Sequence, residues 1–161
     1  MVGAVVCNFL GYVGLLITPE VHMCAWFAAL KEPPLMPSGD VFVFGWTIAF
    51  SMMGIASVRL WRLDTTLAES KSILALNLLQ LLMNGIWNSV FGLTRSISVA
   101  LIHILAIDAV VLLMWIKSRS LENRVFSTCC LLYLVWCIFA TNAVYTMWIV
   151  NYEQRNVTSQ C

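Results

Sequence analysis

The stretch Val125–Val150 reads VFSTCCLLYLVWCIFATNAVYTMWIV, 26 residues without one Asp, Glu, Lys or Arg. A helix rises about 1.5 Å per residue, so this run is long enough to cross a hydrocarbon core of roughly 30 Å. A charge-free run of that length has no natural place on a water-facing surface. It predicts a transmembrane helix, and the rest of the chain is read outward from it.

Further apolar runs precede it at residues 2–18, 41–60, 73–93 and 97–116. The first is uncharged but barely long enough, and Pro19 and Glu20 close it. Arg59 and Arg62 close the second run, and Lys117 and Arg119 close the fourth. The predicted fold is an all-α integral membrane protein, a five-transmembrane-helix bundle forming a single domain over residues 1–161. A lid-like loop at 19–40 and a polar tail at 151–161 complete it.

Composition points the same way. Only 11% of residues are charged, against about 25% in soluble domains, too few to cover a water-facing surface. A net charge of +1 argues against nucleic-acid binding through a basic patch. No basic region precedes the first apolar run and no A-x-A cleavage site is clear, so that run is expected to be retained as a span. Short connections make neighbouring helices antiparallel. Arg59, Arg62, Lys71, Lys117, Arg119 and Arg124 then share the N-terminal side, and Lys31, Arg95 and Arg155 the other. That bias places the N-terminus on the positive-inside face, usually the cytoplasm. Cys7, Cys129, Cys130 and Cys137 fall inside apolar runs without C-x-x-C spacing, where a thiol behaves as a small hydrophobe. No cluster of metal-ligand type appears, so no metal is expected.

The third run is the most unusual. Asn77, Gln80, Asn84, Trp87 and Phe91 are spaced 3, 4, 3 and 4 apart, which aligns them on one helical stripe. Carboxamides facing lipid would leave donors and acceptors unpaired, so the stripe should face the bundle interior. Two roles stay open for it: interhelical glue, or the wall of a ligand cavity. Trp46, Phe50, Met53 and Ser57 repeat the geometry in the second run. Tyr133, Trp136, Ala140, Ala143 and Met147 repeat it in the fifth. Such stripes often form only core, yet three of them around one interior would suit a flat apolar ligand. His103 and Asp108 in the fourth run lie five positions apart, about 140° around an ideal helix, and do not form an obvious acid–base pair. In the loop, Pro33, Pro34 and Pro37 impose a stiff, non-helical course, either as an interfacial linker or as a lid. No nucleophile–base pair or cofactor fingerprint marks an enzyme.

These pieces, in this order, resemble the translocator protein family, also called tryptophan-rich sensory protein or peripheral benzodiazepine receptor. Its loop pattern W-Y-x-x-L-x-K-P-x-W-x-P-P is matched by Trp26, Leu30, Pro33 and Pro37. Trp46, Phe50, Met53 and Gly54 follow at the family spacing. Gln80, Asn84, Trp87 and Phe91 match Q-x-x-x-N-x-x-W-x-x-x-F, and Tyr133, Leu134, Trp136, Phe139, Ala140 and Thr141 match Y-L-x-W-x-x-F-A-T. Departures are Glu32, Leu35, Ser38 and Leu132 where the family has Lys, Trp, Pro and Pro. Ala143-Val144 stands where it has Leu-Asn.

The resemblance implies a bundle, often dimeric, with a ligand cavity between the helices under the first loop. It implies binding of porphyrins such as protoporphyrin IX, and of sterols, with a role in their transport or homeostasis. Porphyrin would be a ligand, with no cofactor required. The ligand-binding residues carried over by position are Trp26, Trp46, Phe50, Asn84, Trp87, Phe91, Trp136, Ala140 and Ala143. The tryptophans matching Trp46 and Trp136 are linked in some members to light-dependent porphyrin breakdown, which leaves a photochemical alternative; a non-catalytic scaffold or stress regulator is another. Val150, Tyr152 and Arg155 fit a weak sterol motif, shifted downstream. Expected partners are the bilayer, the ligand and a second copy through small residues such as Gly11 and Gly14, or Ala140 and Ala143. The membrane implied is the mitochondrial outer membrane for a eukaryotic chain and the bacterial membrane otherwise.

Overall fold

The computed structural model describes residues 1–17, 25–34, 36–63, 68–121 and 124–158, without the side chains of residues 15, 17, 63 and 153–158. All regular structure among them is helical: α1 (Val2–Ile17), α2 (Ala25–Ala28), α3 (Gly39–Leu63), α4 (Ala68–Thr94), α5 (Ile97–Ser118) and α6 (Arg124–Thr158). The sequence predicts five helices and the described residues form six. The addition, α2, is a single turn within the expected loop. Four helices, α3 to α6, are long and apolar enough to cross a bilayer. The described part of α1, 16 residues, accounts for about 24 Å of a roughly 30 Å hydrocarbon core.

The long helices overrun the predicted spans because a polar residue ends an apolar run without breaking a helix. Thus α6 continues past Val150 through residues 151–158, where the sequence suggests a tail. The turn from α4 to α5 is tight. Arg95 takes a left-handed φ of 47°, and its N–H donates to the Phe91 carbonyl at 3.1 Å. Ser96 then caps α5 by accepting the Val99 N–H on its hydroxyl.

The helices close a ring in the order α1–α3–α6–α5–α4, with α1 returning onto α4. Close approach of α1 depends on glycine. A Cβ on Gly54 would meet the Gly3 carbonyl, and one on Gly85 would meet the Leu10 carbonyl. Gly11 and Gly14 likewise pack inside the chain, against Phe50 and Gly85.

Polarity is inverted relative to a soluble protein. Phe9, Phe44, Ile102 and Val135 are each more than half exposed, whereas Gln80 and Asn77 are 0% and 4% exposed. An outer shell of large apolar groups around a buried carboxamide row fits a solvent of lipid.

Candidate functional site

The α4 stripe supplies the first layer. Asn77 donates to the Ser57 hydroxyl of α3 at 2.8 Å. Gln80 donates to Asn77 Oδ1 at 2.9 Å. Asn84 donates to Gln80 Oε1 at 3.0 Å and to the Tyr133 hydroxyl of α6 at 3.1 Å. Tyr133 in turn donates to Gln80 Oε1 at 2.6 Å. One buried network therefore joins α3, α4 and α6, and its carboxamides largely satisfy one another.

Around Tyr133 sits an aromatic box. Trp46 stacks on Phe50 with centroids 5.2 Å apart. It meets the Tyr133 ring at 6.3 Å and the Trp136 indole at 5.9 Å, both edge-on. Trp136 also contacts Phe139 at 5.2 Å. Its position depends on Gly45, where an added Cβ would collide with the indole.

A second cluster lies under the loop. Trp87 stacks on Phe91 at 5.3 Å. Trp26 and Phe27 of α2 reach Phe91 edge-on at 5.3 and 6.0 Å. Leu30, Met36 and Met147 join them. Trp87 packs against this cluster and against the larger one containing Trp46 and Trp136. Along α6, Ala140 and Ala143 are buried small steps between Trp136 and Met147. Trp26, Trp46, Phe50, Asn84, Trp87, Phe91, Trp136, Ala140 and Ala143 thus lie on two adjoining clusters and the helix face between them.

The loop is tied down by Asn151, which is 6% exposed. Its Oδ1 accepts the Lys31 N–H at 2.9 Å, and its Nδ2 donates to the Lys31 carbonyl at 3.0 Å and to the Met147 carbonyl at 2.8 Å. A carboxamide copies the peptide group, so it can pair with a backbone in both directions.

Two donors stand out. The indole N–H groups of Trp87 and Trp136 are buried and have no acceptor among the described residues, whereas that of Trp148 finds the Ser98 hydroxyl at 2.9 Å. A buried donor left unpaired costs about 1–3 kcal/mol.

The remaining sequence candidates fall elsewhere. His103 Nε2 lies 3.1 Å from the Met83 carbonyl, joining α5 to α4. Asp108 accepts the Thr141 hydroxyl at 2.7 Å, joining α5 to α6, and its other oxygen is buried without a partner among the described residues. Of the sterol motif, Val150 is half-buried and Tyr152 is exposed against Trp148 at 4.9 Å; the Arg155 side chain lies outside the described residues. Leu35 and residues 18–24 do too. No three His, Cys, Asp or Glu side chains come together among the described residues.

Tyr133, Gly45 and Asn151 are site residues that the sequence list omits. Tyr133 had a signal, since it lies on the same stripe as Trp136 and opens the fifth-helix motif. Gly45 and Asn151 had none, because their roles depend on which neighbour each meets.

The TspO/MBR family pattern matches residues 3–149. The translocator protein of Bos taurus is 30% identical over 137 residues, covering 81% of this chain and 78% of the relative. That of Homo sapiens is 28% identical over 135 residues, covering 81% and 77%. The tryptophan-rich protein TspO of Archaeoglobus fulgidus is 24% identical over 144 residues, covering 88% and 90%. With a match over nearly its whole length and four helices able to span a bilayer, this multi-pass membrane protein belongs to the TspO/MBR family.

Proposed function

We propose that this protein binds flat hydrophobic ligands, porphyrins such as protoporphyrin IX foremost, between its helices and beneath the loop, and so takes part in their transport or homeostasis. The observation that carries the reading is the pair of acceptorless indole N–H groups, Trp87 and Trp136, inside an aromatic interior. A porphyrin offers broad π faces to the rings and carboxylates that can accept from indoles. The rings now stack on one another, so a guest must part Trp26 from Phe91 or Trp46 from Trp136 and take the place of those contacts. We take α1 as the fifth span, since it completes the ring between α3 and α4 and turns Val5, Phe9 and Leu16 outward.

Tryptophan fluorescence of the purified protein is the direct test. Protoporphyrin IX should quench it saturably, and Asn84→Ala combined with Trp46→Phe and Trp136→Phe should weaken the midpoint at least tenfold. Unchanged saturable quenching in that variant would remove the site.

A scaffold role has its own support, because the Asn77–Gln80–Asn84–Tyr133 network is satisfied within the protein. It predicts that Asn84→Ala lowers the melting temperature while porphyrin titrations of the variant and the parent coincide.

A further inference from the structure

Where α5 ends and α6 begins, a surface groove of about 480 Å³ opens between Trp115–Ser120 and Arg124–Leu131. Its rim is cationic and hydroxylic: Arg119, Arg124, Ser127 and Thr128 line it. Ile116 and Leu131, 53% and 41% exposed, add apolar surface beside them. The Arg119 guanidinium lies over the Trp115 ring, 5.4 Å from the centroid. Stacking of that kind fixes the plane of the fork and leaves its N–H edge free for oxygen ligands.

We propose that this groove binds the phosphate headgroup of an anionic phospholipid. The argument for a lipid is one of position and shape. Both bordering helices are able to span a bilayer, so their junction lies at the level where acyl chains give way to headgroups. Trp115 is the residue type that anchors there. Guanidinium and hydroxyl groups beside exposed apolar side chains match an amphiphile that presents a phosphate next to glycerol and upper acyl carbons. Ser120 does not belong to the donor set, because its hydroxyl is held by the Lys117 carbonyl at 2.7 Å and Glu69 Oε2 at 3.2 Å. Glu69 is thus the acidic side chain that the structure places beside the groove, one carboxylate against two guanidinium groups among the described residues. The same end of the bundle carries Arg59, Arg62, Lys71 and Lys117, whose field favours an anionic leaflet.

The test uses the full-length protein released from neutral detergent into native mass spectrometry with equal phosphatidylglycerol and phosphatidylcholine. Phosphatidylglycerol should be retained preferentially. Arg119→Gln with Arg124→Gln should cut that preference by about tenfold or more, and Arg119→Lys with Arg124→Lys, which keeps the charge and loses the fork, should keep only part of it. Arg59→Gln with Arg62→Gln removes equal charge from the same end and should leave it intact. Equal losses in the two Gln pairs would reduce the site to a general surface field and overturn the proposal. So would binding of inorganic phosphate at the strength of the lipid, since the groove would then hold a free ion. Unchanged helical circular dichroism in all variants keeps folding out of the comparison.

Discussion

Asn151 and Lys31, 120 positions apart, exchange a pair of hydrogen bonds in which the Asn151 side chain stands in for a strand partner. This places the end of α6 over the loop that carries Trp26 and Phe27. The latch closes the cluster around Phe91 from the side where the loop lies.

Asn151→Ala should release the loop. Two loop hydrogen bonds are lost, and the Lys31 amide and carbonyl must find water instead. A stability loss of about 1–3 kcal/mol is expected. Protease cleavage within residues 25–38 should accelerate, and stopped-flow porphyrin dissociation should speed up with it. Cleavage at the parent rate would show that the loop is held by its ring contacts alone.

Gly45 controls the placement of Trp136. Gly45→Val puts a branched side chain where the indole lies, so the ring or α3 must move. Overpacking of this kind costs about 1–3 kcal/mol. The measurement is the melting temperature together with the Trp emission maximum. Both should shift more for Gly45→Val than for Gly45→Ala, and identical spectra would refute the steric argument.

Tyr133→Phe and Trp136→Phe separate glue from ligand donor. The first deletes a hydroxyl that donates to Gln80 and accepts from Asn84, at a cost of about 1–2 kcal/mol. The second removes an N–H that has no acceptor, so its cost is confined to lost ring contact. Porphyrin affinity should follow the opposite order, with Trp136→Phe weaker by about tenfold, the loss of one hydrogen bond to the ligand. Equal affinities in the two variants would contradict the donor role.

Arg95→Gly should stabilise the protein. A side chain at φ 47° costs roughly 1–2 kcal/mol, and glycine returns part of that as greater freedom of the unfolded chain. A net gain of about 0.5–1 kcal/mol is expected, read as a higher melting temperature. Arg95→Val should lower it.

The α4 row was legible because a helix has one period. Once residues 73–93 are helical, Asn77, Gln80, Asn84, Trp87 and Phe91 share a face, and lipid forbids that face to turn outward. Trp46 and Trp136 share faces with their own stripes on α3 and α6 by the same logic. The helix ends were less legible. Hydropathy marks where lipid stops, whereas helices stop at prolines, caps and turns, so α6 runs on past Val150 and α2 forms inside the loop. Pairing between helices was not legible at all. That Asn77 meets Ser57 while Asn84 meets Tyr133 depends on the depth and rotation at which α3, α4 and α6 pack.

The sequence by itself determined that the chain is helical, membrane-embedded and polar within, because charge-free length and 3.6-residue spacing are properties of a single segment. Tertiary structure alone decided that Gly45 makes room for an indole, that Gly11 and Gly14 bind α1 inward, and that Asn151 fastens Lys31. Each of those depends on the distance between two backbones, which no segment carries alone.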